Sequence, residues 1–384
     1  MADRPLRSVP TTKTWSAERV QTGPGSAGVS TRTDRPPTTP SPPNEAAVHR
    51  PKRTHQIFED DDTLSLGASL GPALREACEG RLGEIEWFRS TWQRGGAATG
   101  FSTWRRSDDK TIRVMVKVPV GAREYSWTTR LGAVGETDWD SEAARSLPTP
   151  RVVASGLEVG SYDMAWLIVE RFEGRPVSRD LCADSIRSVM EAAAEFQKAA
   201  QLIGCGPGRP EYCQWSKLIK KSRERVYDCG LDEPDRWASA LDRLDGRLHS
   251  VLERWWARPM NGWCHGDLHP GNAMRRENGG RWALIDLGLV HPGHWVEDAV
   301  YFERLFWGHE DKLGGVEPVE AMAEARLRHG LPVGDRDYEL ADIRRLLTAA
   351  CVPVFLAREG RPVYVRAAIE RLERLVDLFG RRAG

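Results

Sequence analysis

The sequence predicts an α+β protein in which a small antiparallel sheet precedes a mostly helical region. Strand patterns are concentrated between residues 84 and 169, where Thr111–Val118 alternates its side chains between two faces. Helical patterns, with apolar residues three or four positions apart, begin near Ser185 and continue to the last residues. At 384 residues the chain is long enough for two such regions and a further segment.

Residues 1–58 differ in composition from the rest of the chain. They are rich in Pro, Ser, Thr and Arg, and contain few apolar side chains that a core could bury. Such a composition predicts a disordered tail. We therefore expect three parts: a tail over 1–58, a first lobe over 63–169, and a helical second lobe over 170–384.

The elements can be assigned in order along the chain. Alternating or continuous apolar runs predict strands at 84–93, 101–105, Thr111–Val118 and 165–169, with a Gly-rich turn at 95–100. Apolar stripes at helical spacing predict helices at 70–81, 185–203, 215–227, 235–256, 296–307, 317–329, 336–358 and 362–379.

Composition argues against several classes of protein. The formal net charge is zero, so no global basic field favours nucleic acid as a partner. No run of 18 apolar residues predicts a membrane span, and the first residues lack the apolar core of a signal peptide. The seven cysteines are scattered without a CxxC pair, which fits reduced thiols. A cytoplasmic protein is expected.

Two short motifs carry the chemistry. In the first, His265-Gly-Asp-Leu-His-Pro-Gly-Asn272, Asp267 and Asn272 are five positions apart, as are the base and the metal-binding Asn of the protein-kinase catalytic loop. In the second, Asp286 follows an apolar run predicted to be a strand. Phosphoryl transfer needs a base and oxygen ligands for magnesium. Two unrelated acidic loops are the alternative, but both motifs at this spacing favour a small-molecule kinase with Asp267 as the base.

A lysine in the best-defined strand is the candidate phosphate ligand. Lys117 shares a strand face with Met115, and a lysine so placed is costly unless it is paired. Nucleotide phosphates would supply the partner, and Met115 would lie under the adenine. An edge-strand lysine that reaches solvent is the alternative. Kinases hold this lysine with a helix Glu, for which Glu124 is the candidate and Glu136 or Glu142 are alternatives.

The two motifs resemble those of the aminoglycoside phosphotransferase family, whose relatives include choline, homoserine and fructosamine kinases. The resemblance covers roughly residues 85–310 and is strongest at 265–288. It implies a bilobal, protein-kinase-like fold, with a small antiparallel sheet as the N-terminal lobe, a large helical C-terminal lobe, and ATP bound between them. By the same resemblance Asp267 is the base, Asn272 and Asp286 bind Mg²⁺, His265 braces the loop, and Asp298 fixes it.

The segment after the last predicted strand resembles the hinge between the lobes. The apolar run 165–169 leads into Glu170, Arg171 and Phe172. In the family, backbone groups at this place bond the edge of the adenine. Any buried strand that runs into a polar turn would give the same sequence pattern.

The acceptor is left open by the sequence. Acidic residues downstream of Asp286 could attract a cationic aminoglycoside, and aromatic residues of the same segment could instead cage a quaternary amine. The alternative to both is an amphipathic helix with a solvated face, and this interpretation is favoured. The acidic set is Glu297, Glu303, Glu310 and Asp311, and the aromatic set is Trp295, Tyr301 and Trp307.

Three functional classes remain. The first is an ATP-dependent, Mg²⁺-assisted kinase of a small hydroxylated molecule that is aminoglycoside-, choline- or sugar-like. The second is a protein or lipopolysaccharide kinase, against which the lack of an APE motif and of a Ser/Thr-rich activation segment argues. The third is a non-catalytic nucleotide-binding module, against which the presence of Asp267, Asn272, Asp286 and Lys117 together argues.

Overall fold

The computed structural model describes residues 59–88, 97–203, 214–260, 262–276, 281–359 and 361–381. The predicted tail at 1–58 lies outside these ranges, as do 89–96, which include part of the predicted Gly-rich turn. Among the residues described, no helix combines the length and the apolar character that crossing a membrane requires.

A five-stranded antiparallel sheet forms the first part of the fold, which confirms the sheet predicted from the sequence. Its strand order is β1-β2-β3-β5-β4. β2 begins three residues earlier than predicted, because Ala98 to Gly100 pair with β3. The strands are β1 Glu86–Phe88, β2 Ala98–Arg105, β3 Thr111–Val118, β4 Val152–Gly156 and β5 Trp166–Glu170.

The two faces of β3 have different surroundings. Val114, Val116 and Val118 are fully buried on one face, in a cluster with the apolar side chains of helix α1 (Glu59–Ala77). α1 is longer than the predicted 70–81 and ends four residues earlier. Lys117 and Met115 lie on the opposite face, which is partly open. Helix α2 (Ala122–Gly132) and the short α3 (Glu142–Arg145) follow β3.

Helices dominate the second part, as predicted. Their largest buried side chains include Trp237, Trp255, Trp307, Phe196 and Phe302, all in one core cluster. The helices are α4 Ala183–Gln201, α5 Trp215–Arg225, α6 Pro234–Asp245, α7 Leu248–Trp256, α8 Val296–Arg304, α9 Pro318–Arg328, α10 Arg336–Ala350, α11 Val352–Glu359 and α12 Pro362–Arg381.

Two predicted helices are each divided in the structure. The predicted helix at 235–256 is wrong as a single helix, since α6 ends before Gly246 and α7 begins at Leu248. Glycine costs more in a helix interior than other residues except proline. The predicted helix at 336–358 is divided at Cys351, because Pro353 has no N–H for the carbonyl four residues earlier.

Two small strand pairs position the motifs. β6 (Gly262–Cys264) pairs with β9 (His291–Gly293), and β7 (Ala273–Arg275) pairs with β8 (Trp282–Leu284), both antiparallel. Residues 265–272 form the loop from β6 to β7, and Asp286 follows β8. α8 begins shortly after β9. The pairing of β7 with β8 therefore brings the end of the first motif next to the start of the second.

Candidate active site

Asp267 lies at the centre of the loop between β6 and β7. Its Oδ2 accepts a hydrogen bond from Asn272 Nδ2 at 3.1 Å, and its Oδ1 accepts one from the Tyr301 hydroxyl at 2.7 Å. Asn272 Nδ2 also donates to the Asp267 carbonyl oxygen at 3.0 Å. His269 Nε2 lies 3.6 Å from Asp267 Oδ2, and burial lowers the pKa of His269, although the Asp267 charge opposes this. The two residues that the first motif nominates are therefore in direct contact.

His265 connects the two motifs. It is fully buried, its Nδ1 accepts the Asp267 backbone N–H at 3.3 Å, and its Nε2 lies 3.0 Å from the carbonyl oxygen of Ile285. A ring nitrogen that accepts a hydrogen bond carries no proton, so Nε2 is the nitrogen that donates to Ile285. The His265 ring thus connects Asp267 of the first motif to Ile285 of the second.

Asp298, in the first turn of α8, holds the start of the loop. Its two carboxylate oxygens accept the backbone N–H groups of His265 at 2.8 Å and Gly266 at 2.9 Å. Burial raises the pKa of Asp298, and these two N–H groups partly offset the effect. Gly266 has φ +82°, and a Cβ there would lie 2.2 Å from the carbonyl oxygen of Leu289. Only glycine fits this turn.

Asp286 adopts a left-handed backbone conformation with φ 62° and ψ 67°. Its side chain is 52% exposed, and its Oδ1 lies 3.9 Å from Lys117 Nζ. The neighbouring Ile285 N–H donates to the Asn272 carbonyl oxygen at 2.9 Å. This backbone hydrogen bond connects Asn272 to the residue before Asp286, the other predicted metal ligand. Strained conformations of this kind are concentrated at functional sites.

Lys117 contacts Glu124. Their Nζ and Oε1 atoms lie 2.5 Å apart, and both side chains are mostly buried. Burial raises the pKa of Glu124, and Lys117 opposes that rise. Of the alternatives, Glu136 pairs with Arg81 instead, and Glu142 is exposed at the start of α3.

The predicted hinge residues have distinct surroundings. The Glu170 N–H donates to the Arg151 carbonyl oxygen at 2.9 Å, and the Arg171 N–H donates to the Arg113 carbonyl oxygen at 3.1 Å. The Phe172 N–H has no such partner among the residues that the structure covers. Of the three backbone N–H groups in the predicted hinge, two are therefore already bonded within the protein.

The Glu170 carboxylate is buried between two arginines. Arg151 Nε lies 2.8 Å from its Oε2, and Arg276 pairs with its Oε1. Met115, on the Lys117 face of β3, is partly buried against Leu167 and Val169 of β5.

Three of the four acidic side chains proposed for a cationic acceptor are paired with arginines. Glu297 is buried with Arg258 3.0 Å away. Burial alone would raise the pKa of Glu297, but the nearby His291 and neighbouring arginines outweigh this effect and hold the pKa far below the usual range. Asp311 is exposed. The other pairs are Glu303 with Arg345 at 2.5 Å and Glu310 with Arg371 at 2.6 Å.

The three aromatic rings proposed for an amine cage each already lie under a guanidinium group. Trp295 and Trp307 are also buried within the core. The ring–guanidinium pairs are Tyr301 with Arg304 at 4.6 Å, Trp307 with Arg371 at 5.0 Å, and Trp295 with Arg326 at 5.4 Å. Sequence reasoning did not anticipate the contact between Tyr301 and Asp267, because nothing local to either residue signals a partner 34 positions away.

The chain shows similarity to several proteins of known structure. The chain is similar to an aminoglycoside phosphotransferase from Alicyclobacillus acidocaldarius (13% identity, 80% of this chain and 95% of that one, TM-score 0.46). It is also similar to APH(3'')-Id from Streptomyces rimosus, solved with ADP and streptomycin (18% identity, 80% and 98%, TM-score 0.38). No curated protein matches the sequence.

The family assignment rests on a match over most of the chain. The family model described as the phosphotransferase enzyme family matches residues 91–342, about two-thirds of the chain. This match confirms the resemblance that the two motifs indicated, and with it the predicted bilobal, protein-kinase-like fold class. The chain therefore belongs to the phosphotransferase enzyme family, as a kinase-type enzyme with a hydroxyl acceptor.

Proposed function

We propose that this protein transfers the γ-phosphoryl group of ATP to a hydroxyl group of a small molecule, with Asp267 as the general base. The observation that carries the proposal is the contact network of the two motifs. Asp267 bonds Asn272, the Asn272 carbonyl accepts from the residue before Asp286, and Asp286 lies beside Lys117. Base, metal ligands and phosphate ligand thus form one continuous group.

Asp267 takes the proton of the acceptor in the proposed reaction. The acceptor oxygen forms a bond to the γ-phosphorus as its proton passes to the Asp267 carboxylate, and the bond between that phosphorus and the leaving oxygen of ADP breaks. Asp267 is three-quarters buried and held by side-chain and backbone bonds, so it is fixed at the position where the acceptor must bind. Positioning is most of what such an enzyme contributes to phosphoryl transfer.

The donor atoms fit magnesium. Asn272 Nδ2 is engaged by Asp267, which leaves the amide oxygen for a cation. Asp286 adds a half-exposed carboxylate. Oxygen ligands of this kind suit Mg²⁺, which takes few protein ligands and retains water. When bound, Mg²⁺ neutralises charge on the transferring phosphates.

Residues of the sheet and of the hinge that follows it bind the nucleotide. Lys117 binds the phosphates, and Glu124 fixes the lysine because their charged atoms are in contact. At the hinge, Glu170 and Arg171 shape the backbone, and the Phe172 N–H is the donor to the adenine edge. Met115 lies on the same sheet face as Lys117 and covers the adenine ring.

The acceptor that these surroundings favour is a neutral, sugar-like polyol. Three of the four acidic residues proposed for an aminoglycoside are neutralised by arginines. The rings proposed for a quaternary amine already interact with guanidinium groups. A polycationic or quaternary ammonium acceptor would have to displace these partners, whereas a neutral acceptor requires neither an unpaired carboxylate nor an unoccupied aromatic ring.

The test is product detection with a variant of the base. Wild-type protein is incubated with Mg²⁺ and ATP and a panel of sugars, amino alcohols and aminoglycosides, and phosphorylated product is measured by mass. Asp267→Asn should lower turnover of any accepted compound by roughly 10² to 10⁴, the share of a positioned general base, with nucleotide affinity nearly unchanged.

The outcome decides between the functional classes. If Asp267→Asn binds ATP normally and turns over at the wild-type rate, Asp267 is not the base. If wild-type protein binds ATP but phosphorylates none of the compounds and instead modifies a protein, the alternative of a protein kinase is correct.

A further inference from the structure

Helix α8 contacts the catalytic loop at two points one turn apart. Asp298 accepts the backbone N–H groups of His265 and Gly266, and Tyr301 donates its hydroxyl hydrogen to Asp267 Oδ1 at 2.7 Å. Residues three apart on a helix lie on the same face. The first contact fixes the backbone of the loop and the second fixes the side chain at its centre.

The Tyr301 hydroxyl group is a permanent donor. Burial and the hydrogen bond to the Asp267 carboxylate raise the pKa of Tyr301 to about 12. Both causes disfavour the phenolate, so the hydroxyl keeps its proton across the physiological pH range. Tyr301 therefore cannot act as a base and continues to occupy Asp267 Oδ1.

The two oxygens of Asp267 are thereby distinguished. Oδ1 faces α8 and is bonded to Tyr301, whereas Oδ2 faces Asn272, whose Nδ2 lies 3.1 Å away. Asn272 is also a proposed metal ligand, so a phosphoryl group bound to that metal would lie on the Oδ2 side of the carboxylate. An acceptor hydroxyl that donates to Oδ2 would have its oxygen on that side.

We propose that Tyr301 is a positioning residue that holds Asp267 by Oδ1, so that Oδ2 receives the proton of the acceptor. This inference rests on the proposed function, since it assumes that Asp267 is the base. Without the phenol hydroxyl, the carboxylate could rotate about its Cβ–Cγ bond and lose its alignment with the acceptor. Hydrogen bonds to charged groups are among the stronger ones, and their loss corresponds to roughly a tenfold to hundredfold change.

The experiment uses water as the acceptor, so that no natural substrate is needed. Mg²⁺-dependent ATP hydrolysis is measured for wild type, Tyr301→Phe, Asp267→Asn and the double variant, with KM and kcat for ATP determined separately. Tyr301→Phe should lower kcat about tenfold or more and change the KM for ATP by less than about twofold. In the Asp267→Asn background, Tyr301→Phe should have no further effect, because Tyr301 acts only through the Asp267 carboxylate.

Tyr227→Phe is the matched control. Tyr227 also donates its hydroxyl to a carboxylate, Asp235 Oδ1 at 3.1 Å, but it is exposed, and its partner lies in α6. It should hydrolyse ATP like wild type. Tyr301→Phe keeps the ring under Arg304, so its melting temperature should stay close to that of wild type.

Three results would overturn the inference. The first is a Tyr301→Phe variant with wild-type kcat while Asp267→Asn is impaired, which would leave the base assignment standing. The second is an additive double variant. The third is faster hydrolysis in Tyr301→Phe, which would mean that the phenol blocks the site. Equal hydrolysis by wild type and Asp267→Asn would instead remove the proposed function and this inference together.

Discussion

Asp286 combines a left-handed backbone with a carboxylate that is 52% exposed. Asp is one of the few residue types other than glycine that tolerate φ > 0. The turn that follows, a 3₁₀ helix over Leu287–Leu289, packs against α2, which also carries Glu124. The geometry that exposes the carboxylate is therefore set by the same helix that holds Lys117.

Removing this carboxylate should affect magnesium more than removing the neighbouring amide. We expect Asp286→Ala to lose most of the Mg²⁺-dependent increase in affinity for a nonhydrolysable ATP analogue, and Asn272→Ala to lose less, because a charged ligand contributes more to a divalent site. Titration calorimetry with and without Mg²⁺ measures both. Asp311→Ala, which removes an exposed carboxylate, is the control. Equal magnesium enhancement in wild type and Asp286→Ala would contradict the assignment.

Lys117 and Glu124 should behave as one unit. Lys117→Ala should raise the KM for ATP and lower turnover, and Glu124→Gln should reproduce part of that defect. Because the two charged groups are 2.5 Å apart, the double variant should be little worse than Lys117→Ala alone. Steady-state kinetics of the four proteins gives the coupling, with the exposed Lys110→Ala as the control. Simply additive defects would show that Glu124 acts independently of Lys117.

For single residues, the sequence predicts contacts between positions that are close in the chain, but not contacts between positions that are far apart. The proximity of Asp267 and Asn272 could be predicted from the sequence, because the two residues are five positions apart in a tight loop. Tyr301 could be noticed only as an aromatic residue, since its partner Asp267 is brought to it by folding. The same holds for the arginines that neutralise Glu303 and Glu310, which come from α10 and α12.

The start of α8 is anchored to α10 through one buried carboxylate. Asp337 Oδ2 accepts hydrogen bonds from Trp295 Nε1 and the Gly334 N–H, each at 2.9 Å, and His294 Nε2 lies 3.4 Å from Oδ1. Burial alone would raise the pKa of Asp337, but the nearby His294 and the hydrogen bonds from Gly334 and Trp295 lower it to about 2. This contact helps to fix the helix that carries Asp298 and Tyr301.

Asp337→Asn should therefore destabilise the protein in a pH-dependent way. A carboxyl group whose native pKa lies below its unfolded value contributes stability above the unfolded value, and that stability is lost as pH falls through the native one. The difference in free energy of unfolding from wild type should be about 2 kcal/mol at neutral pH. It should shrink between pH 4 and the native pKa of about 2.

Urea unfolding at neutral pH and near pH 3 measures this dependence. Asp335→Asn is the control, since Asp335 is exposed and makes no capping bond to α10. A pH-independent difference between wild type and Asp337→Asn would mean that the ionised carboxylate does not stabilise the junction.

Helix existence was easier to predict than helix continuity. The apolar stripe of α4 was identified correctly, and Ile186, Met190, Phe196 and Ala200 are fully buried. The stripes over α6–α7 and α10–α11 continue through a break, because each new helix packs on the same core as the one before it. Hydrophobic periodicity alone therefore predicts one helix where Gly246 or Pro353 separates two.

The sheet and the helical region are joined by a contact that no local sequence pattern predicts. The two-part architecture follows from the change of hydrophobic period near residue 175, which the sequence displays directly. The way in which the two parts are joined does not follow from the sequence. They are joined by the contact between Glu170 and Arg276, which are 106 positions apart. Arg276 follows β7, and its guanidinium also reaches the Leu147 carbonyl oxygen at 2.6 Å. Burial lowers the pKa of Arg276, and the Glu170 charge opposes that effect.

Glu170→Gln should weaken both the fold and the nucleotide site. The substitution keeps the shape of the side chain but leaves Arg151 and Arg276, which are 12% and 6% exposed, without their carboxylate. Breaking a buried ion pair costs about 3–5 kcal/mol, because the remaining charges stay buried and uncompensated. We expect a loss of this order in the free energy of unfolding, measured by urea titration. Weaker ATP binding should accompany it, since the same residue positions the backbone before Phe172.

Glu173→Gln provides the comparison within the same segment. Glu173 pairs with Arg113, but both side chains are more than half exposed, at 54% and 57%. Exposed pairs contribute between about 0 and 1 kcal/mol, so this variant should unfold nearly like wild type. If both variants lost the same small amount of stability, the buried Glu170 cluster would not be what joins the sheet to the helical region. If Glu170→Gln lost stability but bound ATP normally at temperatures where it is folded, the junction would support the fold without shaping the hinge.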